Sequence, residues 1–251
     1  MLTLRRPAGR FARVGHRGAS ALAPENTLEA LQLAVELGCD MLEFDVLDLA
    51  DGTLVLVHEL SRSSRRRSLD ALRGLTPDLP TFDETLAFCV EQLPGVGLQV
   101  DLKRRGIERA VVDALRRHGV LERSWISGFD AASLRRMAEL EPELPCSYTL
   151  PRDRFGISKR GPLAPVVRTA LSSLGASLPR RVPALLARSR AVALTLHHSV
   201  ASAEAIARAH ELDAAVYVWT VDDSALAERL VRAGADGIIT NDPRVFTGLT
   251  T

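Results

Sequence analysis

One pattern restricts the fold more than any other: short apolar runs alternate with helix-like stretches along the whole chain. The runs lie near residues 12, 42, 98, 125, 146, 193, 217 and 238. Between them, apolar residues recur at helical spacing. Residues 27–37 carry Leu28, Leu31, Leu33, Ala34, Val35 and Leu37 as one stripe, with Pro24 before it and Gly38 after it. Thr81-Phe82-Asp83-Glu84 has the form of a capping box, and Asp130 stands where the cap of a helix through Leu140 belongs. Strands alternating with helices pair in parallel through right-handed crossovers. Eight such units close into a (β/α)8 barrel. A doubly wound open sheet is the alternative, but no Gly-x-Gly-x-x-Gly follows the first strand. Asp51-Gly52 adds a hairpin, with residues 53–57 returning beside the second strand. Two stretches are less regular. Residues 61–80 hold a basic run (Arg62, Arg65, Arg66, Arg67), and residues 151–183 suggest separate helices near 166–174 and 183–189.

The size suits one α/β domain spanning residues 1–251, and 46% apolar residues supply ample core. A net charge of +1 gives no general attraction for nucleic acid or a membrane surface. No run of about 18 apolar residues occurs, and residues 1–14 carry arginines without the apolar segment of a signal peptide. Cys39, Cys89 and Cys146 are far apart and lack metal-ligand spacing, so they read as small buried hydrophobes in a reducing compartment. A soluble cytoplasmic protein is the expectation. The oligomeric state is left open.

Ionisable residues gather at the ends of these runs between Val14 and Glu59. The stretch contains Val14-Gly15-His16-Arg17-Gly18, Pro24-Glu25-Asn26-Thr27, Leu42-Glu43-Phe44-Asp45-Val46 and Val57-His58-Glu59. Strand ends of this kind build barrel active sites. Glu43 and Asp45 are two apart on a strand and share a face. Two inward carboxylates repel unless a cation or proton neutralises them. A divalent cation is the simpler answer, and all-oxygen ligation favours Mg²⁺ or Ca²⁺ over zinc. The competing explanation is a helix cap or a pair with Arg17. Asp101 and Lys103 repeat the spacing on the next run, giving a third candidate ligand and a lysine to hold a phosphate oxygen or balance the charge. His16 and His58 each end a strand-like run, and imidazoles titrate near neutrality, so one can accept a proton while the other donates. Together these groups suit metal-assisted chemistry on a small phosphate ester. His197 and His198 end the sixth run, where one could face the site. His118 and His210 sit at helix ends and read as structural. Trp219 ends the seventh run, either in the core or as an apolar wall at the barrel mouth. The arginine run reads as a solvated loop.

The motifs resemble those of the glycerophosphodiester phosphodiesterase family. His16-Arg17-Gly18, Pro24-Glu25-Asn26-Thr27, Glu43-Phe44-Asp45, Asp51-Gly52-Thr53-Leu54-Val55, His58, Val218-Trp219-Thr220-Val221 and Gly237-Ile238-Ile239-Thr240 stand in the family's order, almost end to end. The resemblance implies a barrel that uses a divalent metal to hydrolyse glycerophosphodiesters to sn-glycerol 3-phosphate and an alcohol. It implies His16 and His58 as the acid/base pair, Glu43, Asp45 and Asp101 as ligands, and Arg17 and Lys103 as phosphate contacts. Three departures stand out. Asp101 replaces the family's usual Glu, Glu59 replaces its usual Asp, and the segment after His58 is short and lacks a Thr-rich sequence. Two rival readings share the barrel. One is a lysophospholipase D or sphingomyelinase D-like enzyme, with an acyl groove built from Phe155, Ile157, Leu163 and Val166. The other is a catalytically silent barrel that only binds glycerophosphodiesters, against which both histidines and three carboxylates argue.

Overall fold

A computed structural model describes residues 2–7, 9–151 and 164–249. In chain order the elements are β1 (Ala12–His16), α1 (Leu28–Glu36), β2 (Met41–Asp48), β3 (Leu54–Leu56), α2 (Leu69–Arg73), α3 (Phe82–Glu91), β4 (Gly97–Leu102), α4 (Glu108–Arg117), β5 (Ser124–Gly128) and α5 (Ala131–Leu140). They continue with β6 (Cys146–Leu150), α6 (Ala164–Ser189), β7 (Ala193–His197), α7 (Ala203–His210), β8 (Ala215–Trp219), α8 (Ser224–Arg232) and β9 (Gly237–Thr240). β1, β2 and β4 to β9 are parallel neighbours in that order, and β9 pairs back onto β1. The sheet therefore closes into the expected (β/α)8 barrel. β3 is the expected hairpin return, antiparallel to the end of β2.

Alternation along the strands divides the core in two. On β2, Leu42, Phe44 and Val46 belong to the layer between sheet and helices. The intervening Met41, Glu43 and Asp45 project into the barrel. Its floor is apolar, built from Ala12, Val14, Met41, Trp125, Ala193, Ala215, Tyr217 and Ile239, and covered by Leu4. Gly237 is required there: a Cβ would come within 2.3 Å of the Tyr217 ring. Above the floor lie buried polar side chains, Gln99, Ser127, Ser147, Thr149 and Thr195. Ionisable groups crown them.

The helix starts follow the sequence signals. Thr27 caps α1, Thr81 and Glu84 form a reciprocal capping box on α3, and Asp130 accepts two backbone N–H groups of α5. Two elements differ from expectation. The short α2 has no marked periodic signal, and Ser68 caps it. More importantly, the two helices expected near 166–174 and 183–189 are one helix, α6, with Pro179 and Pro183 inside it. A proline costs a helix roughly 3 kcal/mol. Here Leu178, Val182 and Leu186 are buried at four-residue spacing, with Leu171, Leu174 and Leu185 packed alongside. Burying several such side chains at about 1.5–3 kcal/mol each outweighs the breaks. Phe155, Ile157 and Leu163, assigned above to an acyl groove, lie outside the described residues, and Val166 is 65% exposed. All three cysteines are free and buried, and burial pushes each thiol up to about 12. Among the described residues, no helix is long and apolar enough to cross a membrane.

Candidate active site

Strand register assembles the site. His16 of β1 lies beside Glu43 of β2, and Asp45 of β2 lies beside Asp101 of β4. Beyond His16 the chain turns sharply, with Arg17 at φ 56° and Gly18 at φ 80°. No other residue fits at position 18, because a Cβ would meet the Ala30 carbonyl carbon at 2.4 Å. The turn aims the Arg17 backbone N–H at Glu43 Oε2, 2.9 Å away. It also returns the chain to Asn26, whose N–H donates to the Arg17 carbonyl at 3.1 Å.

Asp45 is fully enclosed and makes the densest set of contacts. Asn26 Nδ2 donates to its Oδ2 at 3.0 Å, and its backbone N–H donates to Asn26 Oδ1 at 3.0 Å. Arg17 Nε lies 3.0 Å from Oδ2 and Lys103 Nζ 2.6 Å from Oδ1. Lys103 also reaches Asp101 Oδ2 at 2.5 Å, while Ser127 donates to Asp101 Oδ1 at 2.6 Å. Arg17 pairs outward with Glu25 at 2.6 Å. Burial works against ionisation of Asp45, but the Lys103 and Arg17 charges outweigh it and hold the carboxyl well below the usual range. Among the described residues Glu43 has no such pair of cations. Burial, then the charges of Asp45 and Asp101, push it well above the usual range. Burial opposes the Lys103 charge too, yet Asp101 and Asp45 raise its pKa. His16 is pushed down to about 4 by burial and by Arg17, and His58 is lowered by burial and by Lys103.

One cavity of about 60 Å³ at the C-terminal ends of the strands is lined by His16, Arg17, Glu43, His58, Asp101, Lys103 and Trp219. All but one of the residues singled out from sequence thus face the same space, and Asp45 lies directly behind them. The pairing of Arg17 with Asp45, raised above as the competing explanation, is present. Lys103 balances two carboxylates at once. Trp219 is at the mouth, its indole N–H donating to the Thr195 carbonyl at 3.3 Å and its ring edge-on to Phe129 at 6.1 Å. His197 and His198 do not line the cavity. His197 instead meets the Trp219 ring edge-on at 5.2 Å, and His198 binds the Thr220 carbonyl. His118 and His210 are tied to Asp83 and Asp236. Arg65 anchors the basic run by binding Asp48 at 2.7 Å.

Sequence reasoning missed several neighbours. Asn241 contacts His16, and Gln99, Phe129, Thr149 and Thr195 line the cavity. For Gln99 the spacing is a signal: it stands two residues before Asp101, as Asp101 stands two before Lys103.

Oxygens of Glu43, Asp45 and Asp101 all lie within 4.8 Å of one another. Gln99 Oε1 and Thr149 Oγ1 are buried at the same cavity without a hydrogen-bond partner among the described residues. A buried acceptor left unpaired is costly. Three hard carboxylates beside such an acceptor fit an oxygen-ligated divalent cation.

The model of the glycerophosphoryl diester phosphodiesterase family matches residues 16–97 and 78–245. The glycerophosphodiester phosphodiesterase of Caldanaerobacter subterraneus is 26% identical, over 94% of this chain and 96% of that protein. Among solved structures, a Parabacteroides distasonis glycerophosphodiester phosphodiesterase superposes with a TM-score of 0.77 at 22% identity, covering 97% of this chain and 98% of its own. An Oleispira antarctica phosphodiesterase, solved with its product sn-glycerol-3-phosphate, gives 0.73 at 24% identity, covering 95% and 96%. With the family model spanning most of its length, this chain belongs to the glycerophosphoryl diester phosphodiesterase family.

Proposed function

We propose that the protein hydrolyses glycerophosphodiesters to sn-glycerol 3-phosphate and an alcohol, with His16 and His58 as the acid/base pair. The observation that carries this reading is the convergence of both imidazoles, three carboxylates, Arg17 and Lys103 on one cavity. Family membership and the product held by the Oleispira antarctica relative support the substrate class. Glu43, Asp45 and Asp101 would hold a divalent cation, Mg²⁺ or Ca²⁺ by ligand chemistry, which would supply neutralisation of charge on the phosphoryl oxygens. Arg17 and Lys103 add fixed positive charge at the same oxygens, and their raised pKa values keep them cationic. The nucleophile is water or the neighbouring glycerol hydroxyl, which would give a cyclic phosphate first. Its oxygen bonds to phosphorus as one histidine takes its proton. The bond from phosphorus to the alcohol oxygen breaks, and the other histidine supplies that oxygen with a proton. Trp219 and Phe129 wall the space beside the leaving alcohol. The partner is thus a small phosphodiester, with no role for nucleic acid, and buried reduced thiols suit the cytoplasm.

A panel of glycerophosphodiesters and lysophospholipids, assayed with each metal, tests the reading. Excess chelator should abolish hydrolysis, and Mg²⁺ or Ca²⁺ should restore it. Full activity in chelator removes the cation from the mechanism, and a preference for lysophospholipids moves the substrate class.

A further inference from the structure

We propose that Asp222 and Asn241 are a positioning pair that fixes the tautomer of His16, with the proton on Nδ1 and a bare Nε2. The inference deepens the reading above, since it rests on His16 being a proton-transfer group.

The argument follows from which atoms can donate. Asn241 Nδ2 stands 2.6 Å from Asp222 Oδ2. A carboxylate only accepts, so the NH₂ end of the Asn241 amide must face it, and the opposite assignment would set two oxygens against each other. The Asp222 carboxylate cannot swing away easily. The Asn241 backbone N–H donates to its other oxygen at 2.7 Å, and the Thr240 hydroxyl donates to that oxygen at 2.9 Å. Asn241 Oδ1 therefore points back toward β1, where it accepts the Ser20 hydroxyl at 2.9 Å and lies 2.7 Å from His16 Nδ1. A carbonyl oxygen donates nothing, so Nδ1 carries the proton of that bond. Neutral imidazole has a single N–H, which leaves Nε2 as a lone pair. Glu43 Oε2 is 3.9 Å from Nε2, too far to hold a proton there by a hydrogen bond.

Free neutral histidine favours the opposite tautomer, so the protein has to impose this one. Asp222 is exposed and does not line the cavity; it acts only through Asn241. A group behind an imidazole serves the same purpose in catalytic triads. The arrangement divides the roles left open above. As the nucleophile's oxygen bonds to phosphorus, its proton passes to His16 Nε2. As the bond to the alcohol breaks, the leaving oxygen takes the proton of His58.

Nitrogen spectra of the full-length, ¹⁵N-labelled protein at neutral pH test this, with the His16 signals assigned by their loss in His16→Gln. Nδ1 should resonate as the protonated nitrogen and Nε2 as the bare one. Asn241→Ala and Asp222→Ala should shift His16 toward the other tautomer. Both should lower kcat by about tenfold or more at nearly unchanged KM, within the roughly 10²–10⁴-fold that a general base contributes. Asp222→Asn keeps one acceptor oxygen and should recover most of the loss. A purely structural role would lower thermal stability but leave the nitrogen signature of His16 unmoved. A protonated Nε2 in the wild type, or unchanged His16 signals in both alanine variants, overturns the pair. Wild-type turnover by His16→Gln would instead refute the underlying role of His16 while leaving the spectral assignment standing.

Discussion

Asn26 offers the most exacting test of how the site is held. Its side chain is 2% exposed, and both ends of its amide are used on residue 45. Its backbone is left-handed, at φ 60°. Asn26→Ala therefore does three things. The buried Asp45 N–H loses its acceptor, which costs about 1–3 kcal/mol. The buried carboxylate loses a donor, and bonds to charged groups contribute about 1.5–3 kcal/mol. Alanine also meets the left-handed penalty of about 1–2 kcal/mol that asparagine largely escapes. The first two effects overlap, so we expect a total near 3–5 kcal/mol, a large share of the ~5–15 kcal/mol that stabilises a typical domain. Asn26→Gly removes the backbone part and should be about 1 kcal/mol less damaging than alanine. Asn26→Asp keeps an acceptor for the N–H but sets a second carboxylate against Asp45, so near-identical volume should not rescue it. Urea denaturation in chelator, with m-values compared, reads these differences without metal linkage. A loss below about 1 kcal/mol for Asn26→Ala would refute the role of the clamp. Glycine proving worse than alanine would refute the role of the turn.

The remaining expectations concern the ionisable groups. Asp101→Glu should keep or improve metal affinity measured by calorimetry, and Asp101→Ala should weaken it; unchanged affinity in the alanine variant would show that Asp101 is no ligand. His16→Ala and His58→Ala should each lower turnover by roughly 10²–10⁴-fold, with losses that do not add. A nitrophenyl ester should rescue His58→Ala selectively, and near wild-type rates in both variants would discard the pair. Acid should destabilise the wild type relative to His16→Gln. Pushed down to about 4 in the fold from an ordinary value of 6.5, His16 binds fewer protons folded than unfolded between those values. Its stabilising contribution is complete above pH 6.5 and falls by up to about 3 kcal/mol as pH drops to 4. Glu43 has the opposite sign, but it is present in both proteins and cancels in the difference. A difference that stays flat from pH 7 to 4 would contradict a buried neutral His16.

The barrel was legible because strand and helix periods alternate cleanly and caps sit where helices begin. Local chemistry of that kind is written in consecutive residues: Thr81 and Glu84 are three apart and find each other within one turn. The α6 helix was not legible, because its two prolines are local signals that tertiary burial overrules. The site divides the same way. Strand ends and two-residue spacing brought out His16, Glu43, Asp45, Asp101 and Lys103, since a strand fixes which end and which face a side chain occupies. They did not bring out Asn241, which is 225 positions from His16 and becomes its neighbour only when β9 closes on β1.

Barrel closure also decides the charge of the site. Two buried carboxylates on one strand were expected to need a cation, and the fold supplies two, Arg17 and Lys103. Both are engaged by Asp45, on opposite oxygens, and Lys103 is shared with Asp101. Among the described residues, three carboxylates against two fixed cations leave one negative charge uncompensated. The deficit falls on Glu43, which receives the Arg17 backbone N–H but, among the described residues, no side-chain cation within pairing distance, and burial drives its carboxyl upward. A proton on Glu43 answers that deficit in the free protein. A divalent cation answers the same deficit, and it requires the ionised carboxylate. The two are alternatives at one position, so under the proposed ligand set metal affinity should strengthen as pH rises, and calorimetry showing a pH-independent affinity would contradict it.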